Sequence, residues 1–128
     1  MRAQQKHITE LHTEHLDWLK QLQFYKDDIG ILEKRLEEVA IKNTGYETRA
    51  HVERFQNQFI RQNEVMDEMR HNIKQHENHI QAMVKANPVA TDRKLVLDHT
   101  ELRQEFHRFV ELYDQMREDF KHFLSRAF

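Results

Sequence analysis

Between Val52 and Met83, residues recur at alternating steps of three and four: Val52, Phe55, Phe59, Gln62, Met66, Met69, Ile73, His76, Ile80 and Met83. A half-buried strand repeats every second residue, so this spacing describes the seam of a long helix. One apolar stripe does not stabilise an isolated helix in water; it has to be laid against other helices. Gln62 and His76 are the polar members of the seam, and burying it obliges the fold to give them partners.

The flanking stretches carry the same period. Ile8, Leu11, His15, Trp18, Leu22, Tyr25, Ile29, Leu32, Leu36 and Val39 form one seam, and Leu95, His99, Leu102, Phe106, Phe109, Tyr113, Met116, Phe120 and Phe123 form the other. Gly30 falls on an outer position, where it weakens a helix by about 1 kcal/mol relative to Ala without stopping it. Two breaks divide the three seams. At Asn43-Thr44-Gly45, Asn43 is suited to a left-handed residue ending a helix, and Thr44 with Glu47 has the spacing of a capping box. The phase agrees, because extending the first seam, with Ile8 as an a position, puts an a position at residue 50, whereas the second seam uses 52. At Asn87-Pro88 the missing amide of Pro ends the second helix, and Thr91 or Asp92 is placed to cap the third.

These breaks predict helices over about 4–42, 45–86 and 92–126 in one domain spanning 1–128. Short links make sequential helices antiparallel neighbours. The expected fold is all-α: an elongated, antiparallel, up-down-up three-helix bundle with coiled-coil-like packing. In architecture it is similar to a spectrin repeat, including a Trp in the first helix, Trp18.

Composition narrows the function classes. Lys and Arg total 20 against 22 Asp and Glu, spread evenly over the three helices, so no segment offers a basic surface for nucleic acid. The absence of Cys removes disulfides, thiolate metal sites and Cys nucleophiles. No apolar run approaches the roughly 20 residues that span a bilayer, and the first residues lack the apolar core of a signal peptide. The expectation is a cytoplasmic protein that engages neither membrane nor nucleic acid.

Folding the chain back at residues 44–45 and 88–89 places the polar seam residues in layers. His15, His76 and His99, one from each helix, fall at one level, with His12, Glu14, His79 and Asp98 just outside. Seven of the ten histidines, at 7, 12, 15, 71, 76, 79 and 99, lie in this half of the rod. Tyr25, Gln62 and Tyr113 form a second polar layer, in which two phenols and an amide can satisfy one another and fix register.

The histidine layer admits two readings. Hydrogen-bonded neutral imidazoles, ordered by Glu14, Asp98 or Trp18, would fix register. Alternatively, three imidazoles with an open fourth position resemble the ligand set of a zinc or other divalent transition-metal site. Other motifs carry less. Glu68-x-x-His71 lacks the second copy and the fourth helix of a di-iron bundle, and His107-x-x-x-Glu111 stands alone. The methionines at 66, 69, 83 and 116 read as core filler. No Gly-rich phosphate loop and no nucleophile with its base are present. Leu16, Phe24 and Ile31 lie off the seam on one side of the first helix, a candidate face for a protein partner or self-association. The first expectation is therefore a non-enzymatic interaction or scaffolding module without a cofactor; the alternative is a small metal-binding protein using His15, His76 and His99.

Overall fold

The three seams fold as three helices. In the computed structural model, α1 spans Arg2–Lys42, α2 Tyr46–Ala86 and α3 Asp92–Ala127, so each is about 54 to 62 Å long at 1.5 Å per residue. The structure describes the backbone of residues 2–86 and 92–127, and the side chains of residues 8–82, 85, 86 and 96–127. The expected break at Asn87-Pro88, the cap at Thr91 or Asp92, and the seam side chains of Met83 and Leu95 lie outside the described residues.

Inter-helix contacts fix the direction of each helix. Along α1, the sequence separation to its α2 partner falls from 65 at His12–Glu77 to 37 at Lys26–Asn63 and 30 at Glu33–Asn63, so α1 and α2 run antiparallel. The separation between α1 and α3 partners stays between 84 and 89 from His15–His99 to Asn43–Ala127, so these helices run parallel. The bundle is up-down-up, as the turn signals imply.

The core follows the seams. Trp18, Leu22, Ile29, Leu32 and Leu36 of α1 meet Phe55, Phe59, Met66, Met69 and Ile73 of α2 and Phe106, Phe109, Tyr113, Met116 and Phe120 of α3. Near the α1–α2 loop, Phe120 packs edge-on against Phe55 and Phe59, with ring centroids 5.2 and 5.1 Å apart. Such pairs add about 0.5–1.5 kcal/mol beyond area burial. Met66, Met69 and Met116 are buried, as their seam positions require. α1 continues through Gly30, where an added Cβ would meet nothing within 4 Å.

The turn at 43–45 differs in detail from its sequence signals. Among the described residues none has positive φ, so Asn43 is not a left-handed cap. Its amide nitrogen instead continues the helical pattern to the Val39 carbonyl at 2.9 Å. Its side chain donates to the Ala127 carbonyl at 3.2 Å, satisfying one of the carbonyls that the end of α3 leaves without a partner. The Thr44–Glu47 capping box does not form. α2 begins one residue later, with Gly45 accepting from the Arg49 amide at 3.0 Å, and Thr44 is exposed. Asn43 ties the turn to α3, and Gly45 rather than Thr44 takes the cap position.

Candidate metal centre

Each helix delivers one imidazole to the same level of the bundle because each seam carries a His there. His15 and His99 are 1% exposed and His76 is 8% exposed. One ring nitrogen from each residue lies within 4.8 Å of the other two. The ring centroids are 5.1 Å apart for His15–His76, 4.8 Å for His15–His99 and 6.0 Å for His76–His99. Trp18 closes one side of the layer, stacking on His99 at 4.9 Å and 22°.

Carboxylates hold the outer nitrogens. His15 Nδ1 lies 2.6 Å from Glu77 Oε2, and His12 Nδ1 contacts the other Glu77 oxygen. His99 Nε2 contacts Glu14 Oε1, and Glu14 is in turn held by Arg103 through Nη2 at 2.7 Å and Nε at 3.2 Å. Burial pushes the Glu14 carboxyl up, but the Arg103 guanidinium and the His99 ring outweigh it and hold it below the ordinary range. Burial acts the same way on Glu77, and its contacts with His15 and His12 likewise leave it low. Both acids are therefore ionised acceptors at neutral pH.

With both rings neutral, the inner nitrogens have too few protons. His15 Nε2 lies 2.9 Å from His99 Nδ1, so Glu77, His15, His99 and Glu14 form a row of three contacts. Two neutral imidazoles supply two protons to that row. If both go outward to the carboxylates, two lone pairs face each other across the 2.9 Å gap. A third proton there would make one ring an imidazolium; at His99, burial opposes this and outweighs the pull of Glu14. His76 Nε2, buried beside them, has no hydrogen-bond partner, and Gln58 Oε1 is the other such side-chain atom among the described residues. Burial, with His15 and His99 nearby, pushes His76 down to about 4, so its ring is a neutral donor at physiological pH.

A divalent cation between His15 Nε2, His99 Nδ1 and His76 Nε2 would resolve all of this. Zinc–nitrogen bonds of about 2.0–2.1 Å in tetrahedral geometry set nitrogens about 3.3 Å apart. To reach that spacing, His15 and His99 would part by roughly half an ångström and the ligand nitrogens, now within 4.8 Å of one another, would draw together around the ion. Each of the first two rings would then keep a carboxylate on its far nitrogen, the usual way a protein fixes the orientation of a metal-binding imidazole.

Of the outer residues expected from sequence, Glu14 orients His99 directly and His12 acts through Glu77. His79 is exposed and Asp98 half-buried; both line a groove beside His76, and neither hydrogen-bonds to the layer. Glu14 and Glu77 hold the outward nitrogens of His99 and His15, and Asp98 acts on His76 by its charge alone. Glu77 and Arg103 escape a seam-only reading because they sit one position after His76 and one turn after His99.

The second polar layer also rearranges. Tyr25 and Tyr113 meet edge-on at 4.7 Å, but Gln62 is only half-buried and hydrogen-bonds to neither. The buried Tyr113 hydroxyl donates to Asp28 Oδ2 at 2.6 Å, and Arg117 Nε donates to the same oxygen at 3.1 Å. An ionised acceptor is stronger than an amide, and Asp28 lies one helical turn from Tyr25. Burial and Asp28 together push the Tyr113 hydroxyl well above the ordinary phenol range.

On α1, Leu16, Phe24 and Ile31 are 54%, 66% and 59% exposed. Among the described residues no helix is long and apolar enough to cross a membrane. The chain matches no known protein family, no curated protein and no solved structure.

Proposed function

We propose that this chain is a metal-binding helical bundle that holds one divalent transition metal, zinc foremost, on His15, His76 and His99. The observation that carries the reading is the convergence of three buried imidazoles, one with a buried nitrogen that has no partner and two with carboxylates on their outward nitrogens. A register device asks only for satisfied imidazoles; here His76 Nε2 is buried without a partner. Neutral imidazoles suit zinc, copper, nickel and cobalt, whereas the hard ions calcium and magnesium need oxygen ligands. We assign a binding role rather than catalysis, because the buried imidazoles and their carboxylates account for a held ion and require no reaction. Metal analysis of the purified chain tests the assignment: one equivalent of bound metal, lost on chelation and regained on adding zinc, is expected.

A second reading is favoured by the exposed line of Leu16, Phe24 and Ile31. In it the bundle is an interaction or scaffolding module whose α1 face meets a second copy or a partner helix, and the histidines set register. Sedimentation of the native chain and of Phe24→Glu tests it: the solution mass of the native chain should exceed that of a monomer and fall in the variant.

A further inference from the structure

We propose that the groove between α2 and α3 is the route by which the cation reaches the three-histidine centre, and that its carboxylates set the rate of loading. This inference rests on the metal-binding reading and asks where the ion comes in. On two sides of the layer side chains stand over the rings. Between α1 and α2, Glu77 spans His12 and His15, and the groove outside it, lined by His12, Glu77 and Lys85, reaches none of the three imidazoles. Between α1 and α3, Glu14 and Arg103 cover His99, and Trp18 stacks on the same ring. Between α2 and α3 there is instead a groove of about 630 Å³, whose wall includes His76, His79, Asp98, Glu101 and Glu105.

Three features fit a cation path. Of the three imidazoles only His76 lines the groove, so one ring borders both the solvent side and the centre. That ring is more than nine-tenths buried and its Nε2 is unpartnered, which makes it the first inner ligand an arriving ion meets. Among the described residues, the groove wall carries three carboxylates and neither Lys nor Arg. A cleft lined by charge of one sign focuses the field and raises the on-rate of the opposite charge by about 10- to 1,000-fold, less as salt is added. The same field turns away anions, which suits a centre that holds an ion rather than one that works on an anionic substrate.

Trp18 is the single Trp of the chain, and its stacking on His99 makes its fluorescence a reporter of the centre. Stopped-flow mixing of the full chain with cobalt(II), which quenches a nearby indole, reads the loading rate directly. The native rate should fall steeply with ionic strength. In Asp98→Asn/Glu101→Gln/Glu105→Gln, loading at low salt should be at least about tenfold slower and its salt dependence flatter. Glu37→Gln/Glu53→Gln/Asp119→Asn removes the same charge at the far end of the rod and should load at the native rate. Glu101→Gln/Glu105→Gln, which changes only exposed positions, should show part of the effect if the triple variant folds poorly. Native loading rates in both groove variants, or equal slowing in the far-end variant, would overturn the route while leaving the centre in place. A native chain that binds no cobalt and no zinc by direct metal analysis would overturn the centre and the route together.

Discussion

Arg103 grips Glu14 across a sequence separation of 89, with Nη2 at 2.7 Å and Nε at 3.2 Å. Two heptads further along, Arg117 takes Asp28 across the same separation of 89. The buried seam residue one turn before each Arg uses the same acid: His99 contacts Glu14 and Tyr113 donates to Asp28, both across 85 residues. The parallel packing of α1 and α3 thus repeats one device, in which a guanidinium holds a carboxylate and the carboxylate orients a buried polar ring. At one level that ring is a phenol and ends the network. At the other it is an imidazole with a second nitrogen facing inward.

Arg103 is accordingly a positioning residue for the centre. Its side chain is 43% exposed and that of Glu14 33%, so the pair adds little to stability, within about 1 kcal/mol. Arg103→Ala should leave the melting temperature of the metal-free chain nearly unchanged and weaken zinc binding by about 10- to 100-fold. Arg103→Lys keeps the charge but not the fork and should fall between the two. Competition titrations against a zinc chelator measure the affinities, and unchanged zinc affinity in Arg103→Ala would sever Glu14 from the centre.

The Tyr113–Asp28 bond should matter for stability and not for metal. Tyr113→Phe removes a hydrogen bond to a charged acceptor and should cost about 1.5–3 kcal/mol. Asp28→Leu strands a fully buried hydroxyl as well as Arg117 and should cost at least as much. The double variant should lose less than the sum of the two, because both single changes break one interaction. Urea unfolding of the four proteins closes the cycle; additive losses would show that the bond is not coupled.

The seams and the two turns contain the fold, because a 3–4 repeat leaves each residue few orientations and short links leave each helix few directions. The same arithmetic brings His15, His76 and His99 to one level from sequence. It does not find Glu77 or Arg103, whose seam phase marks them as outer residues; long side chains reach inward from such positions while their backbones stay outside. It also pairs Tyr113 with Gln62 rather than Asp28, since counting along seams registers height along the rod and not the charge of a flanking position. The separation of 89 shared by Glu14–Arg103 and Asp28–Arg117 is the signal that seam counting leaves unused. Asn43 shows the same limit at a turn: its local propensity suits a left-handed cap, but its amide goes to the end of α3, a partner 84 residues away.

Zinc should be linked to folding. A ligand that binds only the folded chain raises stability by about 2.7 kcal/mol at a hundredfold excess over Kd, which for a chain of this size is roughly 10 °C in Tm. His76→Leu should abolish that rise. Without metal the same change should be neutral or stabilising, because it removes a buried nitrogen that has no partner. Thermal melts of both chains, each with and without zinc, separate these effects. A native chain indifferent to zinc, cobalt, nickel and iron would return the layer to a register device.

The metal-free layer should also make stability depend on pH in two windows. His76 is pushed down to about 4 by burial and by His15 and His99, and burial lowers His99 too. In the unfolded chain both titrate near 6.5. Above that value both states are neutral there and the layer's contribution is fully present. As pH falls from about 6.5 toward 4, the unfolded chain takes up protons that the folded chain refuses, so stability declines, by up to about 3 kcal/mol for His76. Glu14 and Glu77 act lower down. Their folded values lie below the ordinary 4.5, so their contribution is present above the unfolded value and is lost as pH falls through the folded ones. Urea unfolding of the metal-free chain between pH 8 and pH 3 should therefore show a decline beginning near 6.5 and a second one below 4.5. His76→Leu should remove most of the upper decline and leave the lower one. A variant as acid-sensitive as the native chain between pH 6.5 and 4 would show that His76 does not stay neutral in the folded bundle.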